Sequence, residues 1–432
     1  MSIRMCLVLL VSLVLVSYST GFDGPDKNNW SQWQGPHRDA VCTETGLLTK
    51  WPEKGPTLLY QQKGFGDGYS TPVVHNGIIY GMSWRGSKGS MTDGVWAFDE
   101  ANKKELWFAP IGSADEAINY NHGPRSSPTI DGDKIYGVTA NGDLGCLELA
   151  TGRVIWKSSY KTQLGGKMMS VWGFSESVLV DGDKVIGTPG GDDNTLVAFN
   201  KETGSILWKA SVKDNGGAGY ASPMIMTIGG TKMYVTWLGK CIVGVDAQTG
   251  KELWRNDKVA GKVANIPTPI IKDDLVYCTT GYTGYNGGSV LLQIVKEGDK
   301  FVAKEKWYLD AKGFMNHHGG VVLVDGYLYG GHGQNDGQLT CIDFNTGKVK
   351  YRNRGPGKGS AAILCADGHL YYRYQDGTMA LVKINHEKDE VVSKFTLPYD
   401  SGKPSWPHPV ICNGKLYIRD MDVLMCFDVK GK

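Results

Sequence analysis

The side chains of this 432-residue chain with most chemical reach are an arginine, an acid, two indoles and imidazoles in small clusters. His122, Arg125, Trp172, Glu176, His317, His318, Trp406 and His408 all fall where the chain enters a short apolar run. An arginine in such a place pairs with a carboxylate, and an indole stacks on a flat ring. Arg125 with Trp406 or Trp172 would therefore hold an anionic planar ligand. His317 or His318, grouped with His332 and with His122 or Glu176, would offer imidazole and carboxylate donors suited to Zn or Cu. Neighbours on a strand face opposite sides, so His317 and His318 are not expected to ligate together, and the spacing matches no compact metal signature. The plainer alternatives are that these histidines bond backbone in crowded Gly-rich segments and that Arg125 pairs with Glu176. No residue is assigned a catalytic role. Asp131, Asp133, Asp181 and Asp183 read as hairpin turns rather than Ca²⁺ ligands.

These residues must be positioned by a repeat. Leu147–Trp156, Val197–Trp208 and Val245–Trp254 each read as a strand, a turn through Thr-Gly and a second strand with Trp four residues after the Gly; Cys341–Tyr351 is a weaker copy. Upstream in each unit comes a hairpin such as Asn76-Gly77, Asp325-Gly326 or Asn413-Gly414, the strongest short-range hairpin signal. The marks from Tyr80 to Tyr417 recur about every 48 residues, the length of a four-stranded propeller blade. The last unit lacks a fourth strand, and residues 55–63 resemble an orphan one. The expectation is an all-β, eight-bladed propeller of four-stranded antiparallel blades spanning 55–432, its ring closed by the N-terminal strand. Trp107, Trp156, Trp208, Trp254 and Trp307, with Tyr351, Phe395 and Tyr60 in the same place, are expected to dock neighbouring blades. Aligning the units internally places Tyr69, Arg125, Ser175, Tyr220, Ile266, His318, Ser360 and Trp406 in one ring around a mouth of the central channel. Positions released from the packing rule are where function is grafted.

The Thr-Gly-x-x-x-Trp pattern is similar to the tryptophan-docking repeat of quinoprotein alcohol dehydrogenases. It also resembles that of the propeller lipoprotein of the outer-membrane β-barrel assembly machine. Gly123–Pro128, Asn316–Gly320, Trp406–Pro409 and Leu416–Asp422 resemble exported bacterial PQQ-like repeat propellers. The dehydrogenase resemblance implies pyrroloquinoline quinone with Ca²⁺, a vicinal Cys-Cys disulfide, a Glu/Asn/Asp metal set and often a Cys-x-x-Cys-His haem site. This sequence has no Cys-Cys pair, no matching acid set and no haem motif. The assembly-machine resemblance implies a scaffold and a lipid-attachment Cys, which is also missing.

A formal net charge of +2 gives no electrostatic case for nucleic acid. Arg4, the apolar stretch from Cys6 to Val16 and the small residues Ser17 to Gly21 read as a signal peptide over 1–21, followed by an extended segment over 22–54. No later segment reads as a membrane span. The mature chain is expected to be a periplasmic or secreted monomer. Its eight remaining cysteines are expected to be mostly small buried hydrophobes rather than disulfide partners, since Cys146, Cys341 and Cys426 occupy equivalent repeat positions. The function expected is a non-catalytic binding or scaffold module for an envelope protein, glycan or small molecule, working through the channel mouth. The alternative is a quinone-dependent dehydrogenase of an alcohol, sugar or polymer.

Overall fold

The computed structural model describes residues 29–118, 122–282 and 287–431, so the expected signal peptide lies outside the described residues. Eight antiparallel sheets surround a central channel. Blades one to seven span 73–113, 129–159, 179–210, 224–256, 270–310, 321–353 and 361–396. Blade eight combines 410–428 with the strand Thr57–Lys63, which pairs antiparallel to Val423–Asp428 with Tyr60 opposite Cys426. The ring closes as the orphan strand implied. Closure is fastened by Glu100 of blade one, whose buried carboxylate accepts from Tyr60 Oη (3.1 Å), Tyr417 Oη (3.1 Å) and Lys415 Nζ (2.7 Å).

Hairpins follow their turn residues. Asn76 and Gly77 both have positive φ (51° and 79°), as do Asn413 and Gly414 (57° and 68°), the type I′ geometry that matches strand twist. The Thr-Gly turn carries the docking rule. A Cβ on Gly204 (φ 71°) would lie 2.6 Å from the Trp156 ring, and one on Gly152 would lie equally close to Trp107. Each indole of the preceding blade thus lies flat on a bare Gly. Three of these indoles also donate N–H to the next blade's carbonyl, Trp156 to Lys201 (3.0 Å), Trp208 to Ala247 (3.2 Å) and Trp307 to Phe344 (2.9 Å), whereas the buried Trp107 Nε1 has no hydrogen-bond partner among the described residues. Phe395 covers Gly55 in the same way. Trp254 departs from the pattern. Blade five carries a long hairpin, Gly288–Glu297 with Lys300–Asp310, and the Trp254 N–H meets the Met233 sulfur instead (3.0 Å).

The eight described cysteines are free and buried; Cys146, Cys341 and Cys426 each pair across the sheet with the Tyr mark of their own blade. Among the described residues no helix is long and apolar enough to cross a membrane.

The stretch before the closing strand is not a loose leader. Residues 30–44 cross the channel and bind the far ends of the innermost strands. Trp30 and Val74 exchange two backbone hydrogen bonds (2.8 and 2.9 Å), and Ser31 accepts from Ile130 N (2.8 Å). Arg38 donates to the Ser177 (2.7 Å) and Val178 (3.2 Å) carbonyls. Val41–Cys42 adds a parallel fifth strand inside blade seven, and the Glu44 carboxylate accepts from Asn413 N and Gly414 N, both at 2.6 Å. Inner strands would otherwise leave unpaired peptide groups in the channel, a costly state for buried backbone. The plug removes that cost and turns the channel into a blind cavity.

Candidate functional site

A cavity of about 430 Å³ opens at the other mouth, above Trp33 and Gln34 of the plug. Seven of the eight ring positions line it: Tyr69, Arg125, Ser175, Tyr220, Ile266, His318 and Trp406. The eighth, Ser360, lies just behind, bonded to His317 Nδ1 (2.9 Å).

Two devices hold the ring in place, and neither was found by sequence reasoning. One is a belt of hydroxyls a step below it. Ser177 Oγ accepts from Ser127 N (2.9 Å), Ser222 Oγ from Ser177 N (2.9 Å), and Thr71 Oγ1 from His408 N (2.8 Å), each joining one blade to the next. The recurring Ser/Thr before Pro was its signal. The other is a pair of fully buried arginines. Arg419 donates to the carbonyls of Ser70 (3.2 Å), Met82 (2.5 Å) and Gly66 (3.0 Å), fixing the strand that presents Tyr69. Arg373 donates to Pro407 O (2.7 Å) and Ser405 Oγ, fixing Trp406. Burial lowers their pKa values to about 10 for Arg373 and about 9 for Arg419, leaving both charged at neutral pH. Their signal was an arginine inside an apolar strand, at Tyr372-Arg373-Tyr374 and Ile418-Arg419-Asp420.

One wall of the cavity is a continuous stack. His318 lies parallel to Trp406 (4.6 Å, 14°), Trp406 packs on Tyr69 (4.5 Å, 34°), and the Arg125 guanidinium sits 5.3 Å over Tyr69. Elsewhere Trp172 stacks on Tyr282 (6.4 Å, 20°) and tilts against Tyr220 (6.0 Å). His408 packs edge-on against Trp33 (4.7 Å), whose N–H reaches Thr268 Oγ1 of blade five (3.0 Å). His317 and His318 do not face opposite ways. The chain over 317–319 is bent rather than extended, and the two Nε2 atoms meet at 2.8 Å. A chain of polar contacts runs from His318 Nε2 to His317 Nε2 (2.8 Å), from His317 Nδ1 to Ser360 Oγ (2.9 Å) and on to Asn335 Oδ1 (3.4 Å), its donor order set by the tautomers.

Three expected members lie elsewhere. Glu176 is buried in blade three, its Oε1 accepting from Tyr160 Oη (2.9 Å) and Thr188 N (2.6 Å); burial raises its pKa, opposed in part by Arg38. Ser175 lines the cavity while its neighbour Glu176 points into the blade. The carboxyls acting on Arg125 include Asp93 rather than Glu176. His332 turns away from His317, accepting from Met315 N (3.2 Å) against Phe314. His122 stands outside the cavity lining, edge-on to Tyr69 (6.3 Å) and Trp84 (6.4 Å). Among the described residues no three His, Cys, Asp or Glu side chains gather to hold a metal ion.

The electrostatics are simple. Burial lowers His317 and His408 to about 4 and His318 well below its ordinary value, so all three are neutral at pH 7. Among the described lining residues Arg125 is the sole charge, and no Asp or Glu is present. Ca²⁺ in such a site would need hard oxygen ligands, chiefly carboxylates. The lining therefore does not fit a Ca²⁺–quinone pair, although the aromatic stack and Arg125 suit a flat or ring-shaped anion.

The repeat, the docking geometry and the ring closure define an eight-bladed β-propeller of four-stranded blades. Over residues 38–186, 92–315 and 299–392 the chain matches the family described as outer membrane protein assembly factor BamB, and it belongs to that family. It is similar to quinohemoprotein alcohol dehydrogenase ADH IIB of Pseudomonas putida, 30% identical over 146 residues, which cover 32% of this chain and 19% of the dehydrogenase. It is also similar to BamB of Bordetella pertussis, 32% identical over 108 residues (25% and 22% of the two chains). The match to BamB of Salmonella typhimurium is 26% identical over 188 residues, 40% of each chain. These curated relatives are thus matched over 19% to 40% of their length. Among solved structures, BamB from Moraxella catarrhalis superposes with a TM-score of 0.58 at 15% identity (87% of this chain, 98% of that one). Quinohemoprotein alcohol dehydrogenase from Comamonas testosteroni does so at 0.62 and 14% (94% and 81%). At such identities the superpositions speak for the fold alone.

Proposed function

We propose that this chain is an exported, non-catalytic binding propeller whose working face is the channel mouth. The observation that carries the reading is the cavity lining: stacked aromatics, neutral hydroxyls, amides and imidazoles, and one cation. Such a lining can orient a ligand. Its described residues offer neither the charged acid–base pair nor the hard-cation ligand set that alcohol oxidation through a quinone would use. The BamB relatives are named for assembly at an outer membrane, which supports a place in the cell envelope and a binding role.

The experiment is a dye-linked oxidation assay of purified protein supplied with pyrroloquinoline quinone and Ca²⁺ across alcohols and sugars. The expected result is no turnover above protein-free controls. Turnover that saturates with quinone and disappears in Arg125→Gln would replace this reading with the dehydrogenase one, in which Arg125 and Trp406 hold the cofactor.

A further inference from the structure

We propose that the ligand of the mouth cavity is a carboxylated carbohydrate of the uronic-acid class, its sugar packed against the aromatic wall formed by Trp406, Tyr69 and Trp172 and its carboxylate on Arg125. The proposal deepens the binding reading above and rests on it.

Three observations converge. The first is size and shape. About 430 Å³, closed below by the plug and open above, falls in the range of small-molecule sites and accommodates a terminal mono- or disaccharide unit of a longer chain. The second is the division of the lining. Trp172 and the cavity-facing rims of Trp406 and Tyr69 supply aromatic surface, which suits the apolar C–H patches of a pyranose. Gln34, Asn335 and Gln375, with the Ser and Thr hydroxyls below them, ring the remainder. Amides and hydroxyls both donate and accept, as sugar hydroxyls do. A fused aromatic acid would fill the volume and leave many of those groups without partners, a loss of order 1–3 kcal/mol for each buried one. The third is charge. With the three lining histidines neutral, Arg125 is the one charge among the described lining residues, and its planar fork favours a carboxylate over a hydroxyl. No acid among the described lining residues repels the ligand's anion.

The test is calorimetric titration of the purified protein with digalacturonate and with neutral galactobiose. Digalacturonate is expected to bind at least about tenfold more tightly than the neutral disaccharide. Arg125→Gln should weaken it by roughly 10- to 100-fold and the neutral sugar by much less. Trp406→Ala should weaken both. Melting curves of both variants establish that they are folded, and Arg125→Lys, which keeps charge without the fork, should give an intermediate affinity. Equal or tighter binding of the neutral sugar overturns the uronate assignment and leaves the mouth as a glycan site. So does wild-type affinity in folded Arg125→Gln. No binding of either sugar overturns the carbohydrate class, and quinone-dependent oxidation in the assay above overturns the binding reading itself.

Discussion

Gly204→Ala tests how one blade holds the next. At φ 71° an alanine enters the left-handed region, which costs about 1–2 kcal/mol by itself. Its Cβ would also sit 2.6 Å from the Trp156 ring, well inside van der Waals contact, so the indole must move. Trp156 is 9% exposed, stacks on Phe199 and donates to Lys201 O, and removing the ring outright costs about 3–5 kcal/mol. Partial displacement should forfeit roughly 1–2 kcal/mol of that packing. The single substitution is therefore expected to destabilise by about 2–4 kcal/mol. In a Trp156→Ala background only the backbone part remains, about 1–2 kcal/mol, so the two changes should couple by about 1–2 kcal/mol. The assay is urea unfolding of the four proteins, followed by circular dichroism and fluorescence with coincident transitions required. A Gly204→Ala cost that is the same with and without the indole would refute the docking argument.

Other consequences follow from buried ionisable groups. Burial raises Asp93 to about 7, its Oδ2 held by Ala140 N (3.2 Å). A carboxyl whose pKa rises on folding contributes stability that is complete below its unfolded value near 3.8 and is lost as pH climbs through 7. Asp93→Asn should flatten that loss, read as unfolding free energy from urea titrations at pH 5 and 8. His317, His332 and His408 act in the opposite direction: lowered to about 4, they should withdraw stability as pH falls from 6.5 towards 4. His408→Gln should reduce the acid-side slope in the same titrations. Glu100→Gln weakens the closure of the ring, where one carboxylate serves Tyr60, Tyr417 and Lys415; a loss of about 2–4 kcal/mol is expected, seen as a lower melting temperature.

The blades, their order and the closing strand were legible because each unit repeats the same local chemistry: Asx-Gly turns, Thr-Gly corners and an aromatic four residues on. The cavity ring was legible for a related reason. Seven of its eight positions could be found by counting from a repeat mark, since register along a strand fixes depth in the channel. Whatever broke periodicity stayed hidden. Residues 30–44 carry no repeat, and their bonds run to six blades far apart in sequence, so nothing local marked them as a plug. Glu176 and His332 were grouped with the mouth by proximity in sequence, but their side chains turn away from it. The His317–His318 contact escaped the alternation rule because Gly319 and Gly320 (φ 73°) let the chain bend before blade six begins. Trp254 lost its docking partner to a hairpin longer than the repeat allows.

Amide hydrogen exchange of the purified protein, with and without saturating digalacturonate, most directly tests the claim that the channel mouth is the working face. The account predicts added protection over residues 122–127, 316–320, 332–336 and 404–408, and none on the outermost strands such as Thr57–Lys63 or Lys104–Ser113. Unchanged exchange at the mouth, or protection confined to the outer strands, would contradict it.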